Sequence, residues 1–184
     1  MNSQLVFRNI GRFLLLMLLQ LFVFDNIYLG GYINPCLYIL FIAMLPTSMP
    51  AIPMMLIAFG TGLVADMSSN MLGFNASACT VVAFLRGIWL DKIVRGDNNN
   101  EIDTPSIRTV PYQQYSLYLF LLILAYNIVY HSLLVFDITG LFSILLTALL
   151  STAVTWLLAV LYQTLLFRKD NSGGSHRPGA TSPK

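Results

Sequence analysis

Long apolar runs separated by short polar gaps dominate this chain. The first run covers residues 10–28, close to the ~20 residues a helix needs to cross ~30 Å of hydrocarbon. Gly30 and Gly31 predict a turn after it. The next run, residues 33–45, is bracketed by Pro35 and Pro46, with Pro50 and Pro53 beyond. As a helix it reaches only ~20 Å at ~1.5 Å per residue, too little for a straight crossing. Residues 51–66 form a third segment, also short. Either this pair extends through its proline-rich junction or it is partly re-entrant, and both options begin and end on the same side. Further runs cover residues 73–90, 116–135 and 141–167, the last long enough to tilt. The pattern predicts an all-α polytopic membrane protein with six transmembrane segments in residues 1–167.

The polar gaps add orientation. Arg8 and Arg12 stand before the apolar stretch 13–24 of the first run, Lys92, Arg95 and Arg108 fall in one central polar stretch, and Arg168, Lys169, Arg177 and Lys184 follow the last run. Arg86 lies just before Lys92. The gaps at residues 25–34, 67–75 and 131–140 hold acids, amides and glycines but no lysine or arginine. Retained basic residues mark the cytoplasmic side, so both ends are expected on the cytoplasmic face of the membrane. A single helix through residues 33–66 would put Lys92 and Arg95 outside and is rejected. The start is read as a retained first span: Asp25-Asn-Ile-Tyr follows it, not a small-residue cleavage site.

Composition agrees. The chain is 57% hydrophobic and 10% charged, against roughly 25% charged in soluble domains. Its 184 residues make one domain, with a charged, Asn-rich cytoplasmic loop at 91–111 and a Ser-, Gly- and Pro-rich tail at 168–184 expected to be disordered. The net charge of +2 carries no nucleic-acid signal, because the cations are spread over one membrane face. Cys36 and Cys79 both lie in apolar runs and read as packing residues. Tyr112, Tyr115, Tyr118, Tyr126 and Tyr130 fit aromatic belts at the two ends of the fifth span.

Few residues carry candidate chemistry. Asp66 ends a segment with Ala58 and Gly62 at four-residue steps. A carboxylate in hydrocarbon must face protein, water or a partner. Asp66 is therefore either hydrated at the outer interface, capping the turn to Gly73, or an interior anchor. Arg86 is the candidate cation, but helical rise sets it ~10 Å from Asp66 in depth, so it is expected to snorkel beside Asp91 and Lys92. Ser143, Thr147, Ser151, Thr155 and Ala159 recur at four-residue steps, as do Cys79, Ala83 and Gly87. Such rows let helix backbones approach, either inside the bundle or as a docking face. Gln20, alone in the first span, is placed to hydrogen-bond across helices. His131, in an outer gap, and His176, in the tail, join no nucleophile or metal-ligand cluster. No enzyme activity and no cofactor are expected.

One stretch resembles a known family. It runs Leu21-Phe-Val-Phe-Asp25-Asn-Ile-Tyr-Leu-Gly-Gly-Tyr-Ile-Asn-Pro35-Cys-Leu-Tyr-Ile-Leu40, then Gly60-Thr-Gly-Leu-Val-Ala-Asp66, Leu72-Gly-Phe-Asn-Ala76 and Phe84-Leu-Arg86. Over residues 10–90 the chain resembles the bacterial rod shape-determining MreD family; the second half matches in hydrophobic pattern and length. The resemblance implies a non-enzymatic inner-membrane component of the cell-elongation machinery. It implies as partners an MreC-like protein, actin-like MreB filaments, and a shape, elongation and division family glycosyltransferase with its class B transpeptidase. It singles out Gly62, Asp66, Gly73, Ala76 and Arg86. It also implies a fold like the six-helix substrate-binding subunit of energy-coupling-factor vitamin transporters, which supplies an alternative function as a solute-binding subunit. Against that alternative, the first span is Leu and Phe throughout where such subunits carry Ala-x-x-x-Ala, and only Asn34, Asn75 and Asn127 are nominated for a pocket. The loop with Lys92, Arg95 and Arg108 is expected to meet filaments or anionic membrane lipids.

Overall fold

A computed structural model describes residues 3–24, 35–71, 73–95, 104–106, 109–134 and 141–170. These form α1 (Ser3–Leu19), α2 (Ile39–Ala43), α3 (Ala51–Ser69), α4 (Phe74–Trp89), α5 (Tyr112–Leu134) and α6 (Leu141–Asp170). Helix α1 continues as a π-helical turn, Gln20–Phe24, and α4 as another, Leu90–Arg95. Among the described residues there is no strand. Three stretches, Ala51–Ser69, Tyr112–Leu134 and Leu145–Leu165, are long and apolar enough to cross a membrane, and Asn9–Phe22 is a shorter apolar helix. The chain is a helical membrane protein.

Cross-element contacts give the direction of each helix. Phe13 of α1 meets Phe41, with ring centroids 5.1 Å apart, while Gln20 bonds to Pro35 and Leu37. The α2 region therefore runs antiparallel to α1. Helix α3 runs back, since Met54 shares Arg86 with Ala43 and Leu45, while Asp66 meets Asn75. Helix α4 reverses again. Helix α5 places Tyr118 against Ala43 and Tyr126 against Asn75, and α6 pairs Thr152 with Asn127 and Gln163 with Tyr115. Among the described residues the six helices thus alternate in direction, with Arg86, Lys92 and the start of α5 toward one end.

The short runs behave differently from expectation. The segment at 33–45 neither extends into its neighbour nor forms a full helix. Only five residues, Ile39–Ala43, are helical, and every residue from 35 to 46 is buried. The third segment is longer than the apolar run suggests. Helix α3 starts after Pro50, with Pro53 in its first turn, where a missing N–H costs nothing. It runs to Ser69 and closes at Asn70, in the left-handed region at φ 52°. Both Asn70 and Met71 return their N–H to the Asp66 carbonyl, the Met71 bond at 3.0 Å. Gly73, at φ 81°, then launches α4.

Other boundaries also move. His131 belongs to the last turn of α5 and not to a gap. Residues 168–170, expected in the disordered tail, are helical at the end of α6. In the 91–111 loop, Pro105, Ser106 and Val110 are buried, and Thr109 Oγ1 accepts from the Ser106 N–H at 2.9 Å and donates to the Thr104 carbonyl at 2.9 Å. That turn leads directly into α5. The expected Gly30–Gly31 turn, the Gly96–Glu101 stretch, the 135–140 gap and residues 171–184 lie outside the described residues.

Helices α3 and α4 pack most closely, because Gly62 admits the α4 backbone. A Cβ added at Gly62 would stand 2.4 Å from the Ala76 Cα and 2.6 Å from the Ala76 nitrogen. At Gly60, by contrast, an added Cβ meets nothing within 4 Å. Gly62→Ala should therefore destabilise the detergent-solubilised protein by about 1–3 kcal/mol or more, while Gly60→Ala should be neutral or slightly stabilising. Thermal unfolding of the two variants side by side checks this, and equal effects would show that the close approach is unimportant.

Candidate functional site

The residues singled out in the sequence gather at two joints, one near each end of α4. At the first joint, Asp66 is 3% exposed, and its carboxylate accepts two backbone N–H groups from the first turn of α4. The Asn75 nitrogen donates to Oδ1 at 3.0 Å and the Ala76 nitrogen to Oδ2 at 2.9 Å. The first N–H groups of any helix lack intrahelical partners, and the helix N-terminus carries partial positive charge. A carboxylate from the neighbouring helix answers both needs. Asp66 is thus an interior anchor that caps α4 across helices, and it is not hydrated at an interface.

Gly62, one turn earlier, brings α3 close enough for that cap, and Gly73 supplies the left-handed turn that aims α4 at it. Ala76 presents only a methyl group where the backbones meet. Gly62, Asp66, Gly73 and Ala76 therefore form one device. Asn75 extends it inward: its Oδ1 accepts from the hydroxyls of Tyr38, at 3.1 Å, and Tyr126. Those two hydroxyls also touch each other, so their two protons are shared among three contacts, and the Cys36 thiol approaches Tyr126 at 3.5 Å.

The second joint is built on Arg86. Its side chain does not snorkel beside Asp91; it is 2% exposed and turned into the bundle. Nε donates to the Ala43 carbonyl at 3.4 Å, one Nη to the Leu45 carbonyl, and the other Nη meets Met54 Sδ at 2.9 Å. Tyr118 adds its hydroxyl to the Ala43 carbonyl at 3.2 Å. A guanidinium at the C-terminal end of α2 satisfies orphan carbonyls and complements the helix dipole. Arg86 lies eleven residues beyond Asn75, ~16 Å along α4, so Asp66 and Arg86 serve separate joints.

The other end of α2 is held similarly. Gln20 uses both halves of its amide, Nε2 donating to the Pro35 carbonyl at 2.9 Å and Oε1 accepting from Leu37 N–H at 3.0 Å. The Cys36 N–H donates to Thr155 Oγ1 at 3.4 Å. Of the α6 row, Ser151, Thr155 and Ala159 are buried, so this part packs inside the bundle and receives the chain at Cys36. Thr147 is half-buried, and the Ser143 side chain lies outside the described residues. Asn127 bonds to the Ile123 carbonyl at 3.0 Å and Thr152 Oγ1 at 3.1 Å. Asn34 lies outside the described residues.

The tyrosines are the main departure from the sequence reading. Tyr112 is 51% exposed, but Tyr115, Tyr118, Tyr126 and Tyr130 are interior, not belt residues. Their spacing carried the signal: Tyr115, Tyr118, Tyr126 and Tyr130 share one helical face with Leu122, whereas belt residues need share none. Tyr115 meets Gln163, a buried amide that sequence reading passed over. Among the described residues no group of three His, Cys, Asp or Glu side chains is placed to hold a metal, and Cys36 and Cys79 are free thiols in the core.

Chemically, this arrangement ties side chains to backbone. Asp66→Ala would strand two buried N–H groups at roughly 1–3 kcal/mol each. Asp66→Asn, keeping one acceptor, should cost less. Arg86→Met should destabilise by a similar amount to the Ala variant of Asp66, with Arg86→Lys recovering part. Chemical or thermal unfolding of purified variants ranks them, and an Asp66→Ala variant as stable as the wild type would contradict the cap. Neither a scan against protein-family models nor searches of curated proteins and solved structures finds a match for this chain.

Proposed function

We propose that this chain is a non-enzymatic scaffold of the bacterial cell-elongation machinery, a six-span inner-membrane protein of the MreD type with both termini in the cytoplasm. One observation carries the reading. The residues of the resemblance, Gly62, Asp66, Gly73, Ala76 and Arg86, are those that lock α2, α3 and α4 together through backbone contacts. A scaffold needs such rigidity, so that its outward helix faces present a constant surface to neighbours. Those faces are apolar on α3 at Ile52, Leu56 and Leu63 and on α6 at Leu149, Leu157 and Leu161. In a bilayer, packing between helices, more than hydrophobic burial, drives association.

In this reading the membrane faces dock an MreC-like protein and, with it, the glycosyltransferase and its class B transpeptidase. The basic loop carrying Lys92, Arg95 and Arg108 meets MreB filaments or anionic lipid headgroups. The solute-binding alternative finds less support, because Asn75 and Asn127 direct their side chains to protein partners.

Affinity capture of the solubilised protein followed by mass spectrometry tests the assignment. An MreC-like protein and cell-wall synthases are expected in the eluate; a bound vitamin with energising ATPases would transfer the chain to the alternative. Cysteines introduced at Asn34, Asn70 and Gly140 should react with an impermeant reagent applied from the periplasm, and those at Pro50 and Gly96 should not. Periplasmic labelling at Gly96 would reverse the orientation. In cells, Asp66→Ala should disturb rod shape without abolishing membrane insertion, and normal rods at normal protein levels would count against the role.

A further inference from the structure

Two polar rungs join the same three elements at different depths. In the first, Asn75 of α4 accepts from Tyr38, the residue before α2, and from Tyr126 of α5. In the second, Arg86 of α4 donates to the Ala43 and Leu45 carbonyls at the end of α2. Tyr118 of α5 donates to the same Ala43 carbonyl. Between the rungs the interior is apolar: Ile39, Ile42, Val82, Ala83, Leu119 and Leu122 are all buried. Helix α4, at 16 residues, and α5, at 23, hold their shape between the two levels by their own hydrogen bonds. Helix α2 does not. A helix of five residues leaves most of its backbone groups to outside partners, and in a membrane interior each unmet group is costly. Gln20 and Thr155 fix the chain upstream, at Pro35–Leu37. The helix itself keeps its form only while Tyr38 is held at one end and Ala43 and Leu45 at the other.

We propose that α2 acts as a strut between the rungs, so that loosening one loosens the other across the depth of the bundle. The strut ends at a surface. Leu45 leads into the turn before α3, where Ser48 is exposed, at the same end as Lys92 and the start of α5. At the opposite end, the α3–α4 turn is tied to the first rung through Asp66 and Asn75. A displacement of that turn therefore reaches the Leu45 end through α2. The inference requires only the packing described above and is independent of the cell-elongation reading.

Hydrogen–deuterium exchange of the full-length chain in lipid nanodiscs, read by mass spectrometry, tests the strut. Asn75→Leu removes the acceptor shared by the two tyrosines while keeping the side chain's size. It should speed exchange about fivefold or more at Met44 and Leu45, whose N–H groups bond back to Leu40 and Ile42 beside the other rung. Tyr38→Phe takes its place if that variant does not fold. Thr152→Val, which breaks the bond from Asn127 to α6, is the control and should leave those amides at the wild-type rate. Coupling of this kind is reciprocal. Tyr118→Phe should therefore raise, again about fivefold, the rate at which N-ethylmaleimide alkylates Cys36, whose thiol lies against Tyr126. A folded first-rung variant with unchanged exchange at Met44 and Leu45 overturns the proposal, as does unchanged alkylation of Cys36 in Tyr118→Phe. If Thr152→Val speeds the same amides equally, the loosening is general and the strut fails.

Discussion

A five-residue helix buried on every side is the constraint around which the bundle is organised. Inside a membrane no water reaches α2, and so short an element leaves many of its backbone N–H and carbonyl groups without intrahelical partners. Irregular backbone survives at such depth only where protein surrounds it and satisfies it. Here four helices do so. Gln20 of α1 and Thr155 of α6 receive the chain as it enters, and Arg86 of α4 and Tyr118 of α5 hold the carbonyls as it leaves. Each of these side chains is polar, buried and otherwise costly in an apolar interior. Together they turn separate costs into one satisfied arrangement.

The α3–α4 joint follows the same logic with different groups. A helix beginning inside the bundle exposes donors, and the acceptor comes from the partner helix as a carboxylate. Gly62 and Asp66 stand one turn apart, so the glycine that permits contact and the acid that exploits it share a face. Asn75 joins this cap to the α2 core through two tyrosine hydroxyls. A displacement at Asp66 would therefore reach Tyr38 and Tyr126 through one residue. Packing is uneven around this centre: α3 and α4 are bound tightly, while α1 leans mainly on the α2 region and leaves a groove beside α3.

Much of this was legible in the residues themselves. Apolar runs of span length mark α5 and α6, because the bilayer imposes a minimum length that composition alone reveals. Prolines at 35, 46, 50 and 53 announce that the second run is no ordinary helix, since proline removes donors and ends helical turns. Small residues at four-residue steps in α6 foretell close packing, and a lone Gln20 in a leucine-rich span foretells a cross-helix bond. Asp66 and Gly73 stand out because an acid and a glycine are rare within apolar stretches.

Destinations were decided by the tertiary structure. Sequence names Arg86 as a cation near an interface, where snorkelling is the ordinary solution; only the nearby ends of α2, contributed from forty residues away, offer carbonyls that make burial favourable. Tyrosines that would suit a membrane interface turn inward because Ala43, Asn75 and Gln163 supply partners from three other elements. Asp66 had two acceptable environments, and the position of the α4 N-terminus selected one. Local pattern determines which segments enter the bilayer, since that depends on transfer free energy summed along the chain. Pairing of buried polar groups depends on which elements face one another, and that is a property of the assembled bundle.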